Sequence, residues 1–223
     1  MKARVATAGA PPGLAQASDC LRAGRLDEAD AAFEALSRQR PEHADVLHFR
    51  GVLRHRQGRS DEGIGLVRRS LALRPRNAAA LNNLGNLLVE AGRPEEAVDC
   101  YRQALAQAAA PAQLASGWAN LASLLRKAGR SEEAEQACRR ALAADPGHGL
   151  AWSTLSQLLA WRGEVDEAVQ AYHRAVALLP QEAAGRSKVL RALMVIGARE
   201  RAAGLLREWL AQAPGDPVAQ HLL

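Results

Sequence analysis

Apolar residues along this chain fall in short runs of helical period, and the runs come in pairs separated by a glycine and a patch of acids. The stretch from Leu81 to Ala104, LNNLGNLLVEAGRPEEAVDCYRQA, shows one such unit and predicts a helix, a tight turn and a second helix. Gly92 in this stretch has equivalents at Gly24, Gly58, Gly129, Gly163 and Gly197, at steps of 34, 34, 37, 34 and 34 residues, so six copies are present. A small-residue column follows at Ala29, Gly63, Ala97, Ala134, Ala168 and Ala202, then a larger one at Phe33, Val67, Tyr101, Cys138, Tyr172 and Leu206. Prolines close the copies at Pro41, Pro75, Pro146, Pro180 and Pro214, whereas Pro111 is displaced by the insertion behind the longer step. Helices are predicted over 13–23 and 27–40, 44–57 and 61–74, 78–91 and 95–109, 112–128 and 132–145, 148–162 and 166–179, and 183–196 and 200–213.

Each column has a physical reason. A glycine after an apolar run takes the left-handed conformation that ends a helix and satisfies its last carbonyls. The acids that follow, such as Asp61-Glu62, Glu95-Glu96 and Glu132-Glu133, suit the positive end of a new helix, and Ser60, Pro94 and Ser131 mark its start. The small-residue column lets two antiparallel helices approach closely, with the larger column filling the space beside it. A helix pair this thin buries its apolar face only by stacking on a neighbour.

The order of these columns resembles the tetratricopeptide repeat family, here in a bacterial type, over roughly residues 13 to 216. Leu81, Trp118 and Trp152 fill the family's first column and Leu84, Leu121 and Leu155 the next. The end copies fit less closely, with Gly13 and Gln16 in apolar columns and Arg186 in the tryptophan column. The resemblance implies an all-α, right-handed superhelical solenoid with copies at about 13–43, 44–77, 78–114, 115–148, 149–182 and 183–216. Residues 1–12 then form a flexible lead-in, and 217–223 start a seventh first helix. An unbroken repeat argues for one elongated body rather than two globules.

Composition narrows the function. Hydrophobic residues make up 48% and aromatics only 4%, so alanine and leucine carry the packing. A net charge of +5, nearly all its basic excess arginine, is too mild to indicate a nucleic-acid partner. No stretch has the length of a membrane span, and no secretory signal is visible, so the expected setting is cytoplasmic. Cys20, Cys100 and Cys138 lie far apart without metal-ligand spacing and are read as small apolar fillers in a reducing compartment. No catalytic motif is present, and neither a cofactor nor a metal is expected.

In the resembled family the first helix of each pair lines the concave surface, which directs the search to those helices. Asn82 and Asn86 share a face, with Asn83 adjacent and Asn120 in the next copy. Primary amides accept from and donate to a peptide backbone at once, so such a row can hold an extended chain. It is similar to the asparagine ladder of O-linked GlcNAc transferases and to the asparagine of clamp-type chaperone-binding modules, although Phe49, Thr154 and Lys188 occupy the ladder column elsewhere. Ser116, Ser123, Ser153 and Gln157 continue the polar lining, and His48, His55, Arg56, Arg126, Lys127 and Arg191 supply a basic set suited to an acidic segment. Trp161 stands on the groove side of its helix, available to stack on a ligand or cover the next pair. The expected function is a scaffold binding a protein or peptide segment in this groove, with self-association through the terminal repeats as a further expectation.

The alternative is the docking or assembly region of a larger enzyme. Trp209 replaces a packing alanine, and DPVAQHLL resembles the junction of bacterial proteins that join such repeats to an S-adenosylmethionine-dependent methyltransferase domain. A glycosyltransferase is the other enzyme class the resemblances allow. On this reading the polypeptide continues past Leu223.

Overall fold

The computed structural model describes residues 11–179 and 183–222; the expected lead-in before Pro11, the proline column at Pro180 and the final Leu223 lie outside them. The described residues contain no strand and form consecutive helices: α1 (Leu14–Arg22), α2 (Leu26–Gln39), α3 (Ala44–Arg56), α4 (Ser60–Leu73), α5 (Ala78–Glu90), α6 (Pro94–Gln107), α7 (Pro111–Lys127), α8 (Ser131–Ala144), α9 (Gly149–Arg162), α10 (Val165–Leu178), α11 (Ala183–Val195), α12 (Arg199–Gln212) and α13 (Pro217–Gln220). The first twelve are six helix–turn–helix pairs, and α13 is a single turn. The expected all-α repeat fold is therefore what the chain adopts.

All six recurrent glycines have positive φ, between 73° and 88°. The residue after each donates its backbone N–H to the carbonyl five positions before it, as in Arg93 to Leu88 at 2.8 Å and Ala198 to Leu193 at 2.8 Å. The turn thus closes in the same way six times, and glycine is required because a side chain disfavours that φ.

The chain divides into two compact packing units, 1–107 and 108–223, with the boundary at the connection that carries the longer repeat step. Unit one contains α1–α6. At the crossing of α3 and α4 glycine meets glycine: a Cβ on Gly63 would lie 2.6 Å from the Gly51 carbonyl oxygen. In the next pair Gly85 accepts the Tyr101 ring, to which an added Cβ would approach within 2.5 Å. Leu14, Ala17, Cys20, Leu21, Ala29, Phe33, Leu36, Val46 and Leu53 form a continuous apolar cluster across the first two pairs.

Unit two contains α7–α13. Ala122, Ala134 and Ala168 are fully buried in its small-residue columns. Trp118 is half-buried, with the Arg140 guanidinium 4.7 Å from its ring centroid, and Trp152 donates its indole N–H to the Pro146 carbonyl at 2.8 Å. In the last full pair Arg186 takes the tryptophan position and lies 5.5 Å from the ring of Trp209, which is buried in place of an alanine. The Trp209 indole also donates to Asp216, the residue whose carboxylate caps α13.

Candidate functional site

In unit one the first helices are α1, α3 and α5, and several of the polar residues expected to line a groove instead join these helices to one another. His48 is only 3% exposed and accepts from the Asn83 side-chain amide through Nε2 at 2.8 Å. Burial pushes its pKa down from 6.5 to about 4, with the Asp45 carboxylate opposing. The ring is therefore neutral near pH 7, with its proton on Nδ1 and Nε2 free to accept. His55 meets Ser60 Oγ through Nδ1 at 3.1 Å and Glu90 through Nε2 at 2.8 Å. Arg56 donates to the Leu21 carbonyl at 2.7 Å. Tyr101 O–H donates to Asn86 at 2.7 Å, and burial raises the pKa of that phenol. Asn82 is half-buried and has a partner of its own.

Ser60, His55 and Glu90 thus form the hydrogen-bonded connectivity of a nucleophile, a base and an orienting acid. Glu90 is 67% exposed, so its hold on the ring is screened by water. Ser60 Oγ, five residues from His55, braces the turn into α4.

Arg54 is a residue that the search of groove positions missed. It occupies the core column filled elsewhere by Cys20, Leu88, Leu125, Leu159 and Leu193, and is 5% exposed. Asp30 receives its Nη1–H at 2.8 Å and Gln57 at 2.6 Å, and the guanidinium beside Asp30 holds that carboxyl below its usual range against the opposing effect of burial. The signal in the sequence was a charge four residues before the glycine, where every other copy has an apolar residue.

In unit two the first helices are α7, α9 and α11. Asn120 and Ser123 are half-buried on α7, Asn120 with a partner of its own, while Arg126 is half-buried and Lys127 exposed. Ser153 and Gln157 are buried on α9; Gln157 donates back to the Ser153 carbonyl at 3.0 Å, which leaves it little surface to offer a ligand. Trp161 is 55% exposed at the end of α9, and Val195, one repeat on at the end of α11, is 69% exposed. Arg191 is also exposed on α11. The exposed apolar residues Met194, Val195 and Ile196 carry no polar or aromatic mark in the sequence and were not among the expected site residues.

No group of three or more histidine, cysteine or acidic side chains that could hold a metal ion occurs among the described residues. No described helix is long and apolar enough to cross a membrane.

Comparison with known structures places this architecture. PilF of Pseudomonas aeruginosa matches with a TM-score of 0.77 at 22% identity over 94% of each chain. PilW, described as a widely conserved type IV pilus biogenesis factor, gives 0.80 at 20% identity over 94% of this chain and 96% of its own. YrrB, described as a TPR protein with an unusual peptide-binding site, gives 0.61 at 20% identity over 86% and 97%. Identities at this level establish the fold alone. No curated protein sequence matches the chain. Three tetratricopeptide-repeat models match residues 42–110, 82–149 and 125–190, contiguous over about two-thirds of the 223 residues. With the six glycine turns and the helix pairs they close, these matches make the chain a member of the tetratricopeptide repeat family.

Proposed function

We propose that this chain is a protein-interaction scaffold that holds an extended or helical segment of a partner protein against the first-helix wall of unit two. The observation that carries the reading is Trp161, a large aromatic more than half exposed on a first helix, with Val195 exposed in the same column one repeat on. An exposed tryptophan backed by a rigid helix is the usual form of a binding anchor. Lys127 on α7 and Arg191 on α11 lie on the first helices that flank α9 and favour an acidic residue beside the anchored one. Asn120 and Ser123 add amide and hydroxyl groups able to meet a backbone. In unit one, Asn82, Asn83 and Asn86 remain candidates for the same task, but Asn83 and Asn86 each already hold one intramolecular bond. The three thiols, none in a disulfide, fit a reducing, cytoplasmic setting.

The test is affinity capture from a lysate of the native organism, read by mass spectrometry, with the natural chain and a Trp161→Ala/Lys127→Glu variant side by side. A partner of this wall is recovered by the first and reduced at least tenfold with the second. Both side chains are exposed, so the melting temperature should hardly move. Equal recovery by the two forms rejects the assignment.

A further inference from the structure

One column of the repeat stays at the surface in all six copies. It is the position two residues before each turn glycine, held by Arg22, Arg56, Glu90, Lys127, Trp161 and Val195, every one of them exposed. The first five of these copies have a further helix pair behind them, so the exposure belongs to the repeat itself. In unit two the column reads cation, aromatic, branched aliphatic: Lys127, Trp161 and Val195 stand at the ends of α7, α9 and α11. α9 packs against both α7 and α11, so the three side chains form a row across neighbouring helix ends, at steps of 34 residues.

The row is narrow. On α9 the residues expected to line the same wall, Ser153, Thr154 and Gln157, are no more than 4% exposed, so a partner meets the wall of this helix only at its end. A partner helix, about 10 Å across with its side chains, would need that covered surface, whereas an extended chain does not. Charge agrees with shape. α7, α9 and α11 contain no aspartate or glutamate, while α8, α10 and α12 each carry two or three. Lys127 is exposed and has no ion-pair partner among the described residues. Arg162, beside Trp161, is already held by Glu135 and Glu164. The row is therefore positive at its α7 end and apolar from Trp161 to Val195, with exposed Ile196 extending the apolar side.

We propose that this row reads an extended segment of the partner protein at three points: a glutamate or aspartate at Lys127, a bulky apolar side chain at Trp161, and a branched aliphatic one at Val195 and Ile196. The inference rests on the first-helix wall proposed above and adds the order and spacing of what that wall recognises. A carboxylate answers the free ammonium, and the indole face takes an apolar side chain of similar breadth. Axes of packed helices lie about 10 Å apart, and an extended chain advances about 3.3 Å per residue, so about three residues separate successive contacts. The segment therefore carries its acid and its aliphatic residue about six positions apart, with the bulky apolar residue midway.

The chain has four tryptophans, so its indole N–H resonances are few, and Trp161→Phe assigns the one that reports the row. The indoles of Trp152 and Trp209, hydrogen-bonded within the fold, report its integrity. The probes are synthetic glycine-serine peptides with glutamate, phenylalanine and isoleucine at every third position, made in both chain directions, and a peptide of the same composition with those three residues adjacent. One direction of the spaced peptide should shift the Trp161 resonance saturably and bind at least tenfold more tightly than the adjacent form. Lys127→Glu should lose that binding and regain it when lysine replaces the peptide's glutamate. Val195→Asp, at an exposed position, should weaken it while circular dichroism confirms the fold. Equal binding of spaced and adjacent peptides, or indifference to Lys127→Glu, overturns the ordered row but leaves the wall standing, since Trp161 still reports contact. No response to any peptide also overturns the row, and the lysate capture then decides the wall by itself. A Trp161 resonance that shifts with protein concentration alone makes the occupant a second copy and rejects the proposal.

Discussion

Burial of His48 couples the folding of this chain to protons below neutral pH. Its pKa falls from 6.5 to about 4 in the folded state because burial penalises the charged ring. Between those values the unfolded chain takes up a proton that the folded chain refuses, so stability is intact above about pH 6.5 and is lost as pH falls toward 4. The shift corresponds to roughly 3 kcal/mol at most. Denaturant midpoints measured across that window should fall for the natural chain and stay flatter for His48→Gln. At the same scale, two glycines only two residues apart, and so on opposing faces of α4, have opposite roles. A Cβ at Gly65 meets nothing within 4 Å, whereas one at Gly63 meets the Gly51 carbonyl at 2.6 Å, a backbone atom with no freedom to yield. Gly65→Ala should therefore raise stability by about 0.5–1 kcal/mol through helix propensity alone. Gly63→Ala should lower it by roughly 1–3 kcal/mol, because overpacking outweighs that gain. Urea titration distinguishes the two signs.

Among the helices, the turns were legible because their cause is local. One glycine per copy sets the end of a first helix, and the helix starts expected at Ser60, Pro94 and Ser131 are where α4, α6 and α8 begin. The polar pairings were not legible, because they join residues of different copies. His48 with Asn83, His55 with Glu90, Arg56 with Leu21, His173 with Glu208 and Asp166 with Arg201 are each 35 residues apart, one more than the common repeat step. A reading that aligns copies column on column places such partners in adjacent columns, and on that reading His48, His55, Arg56 and Asn83 are groove surface. For the same reason Gln157 looked like lining on the basis of its column, yet it is buried and bonded within its own helix. Trp161 is 55% exposed, and the equivalent residue one repeat on, Val195, is 69% exposed.

Across the molecule, each packing unit holds three helix pairs, the number at which stacked repeats begin to sustain a core of their own. Fragments 1–107 and 108–223 should accordingly each give a helical circular dichroism spectrum and a cooperative melt; a fragment that is disordered on its own would show that its core is completed elsewhere. The thiols add a further consequence. Cys20 and Cys138 are buried and Cys100 is half-buried, on the first, eighth and sixth helices respectively. Burial pushes the Cys138 thiol up to about 12, so it becomes a nucleophile only when the fourth pair opens to water. Alkylation followed by peptide mapping therefore times the breathing of three separate helix pairs in the unaltered polypeptide, with slow modification of Cys138 recording local opening of unit two.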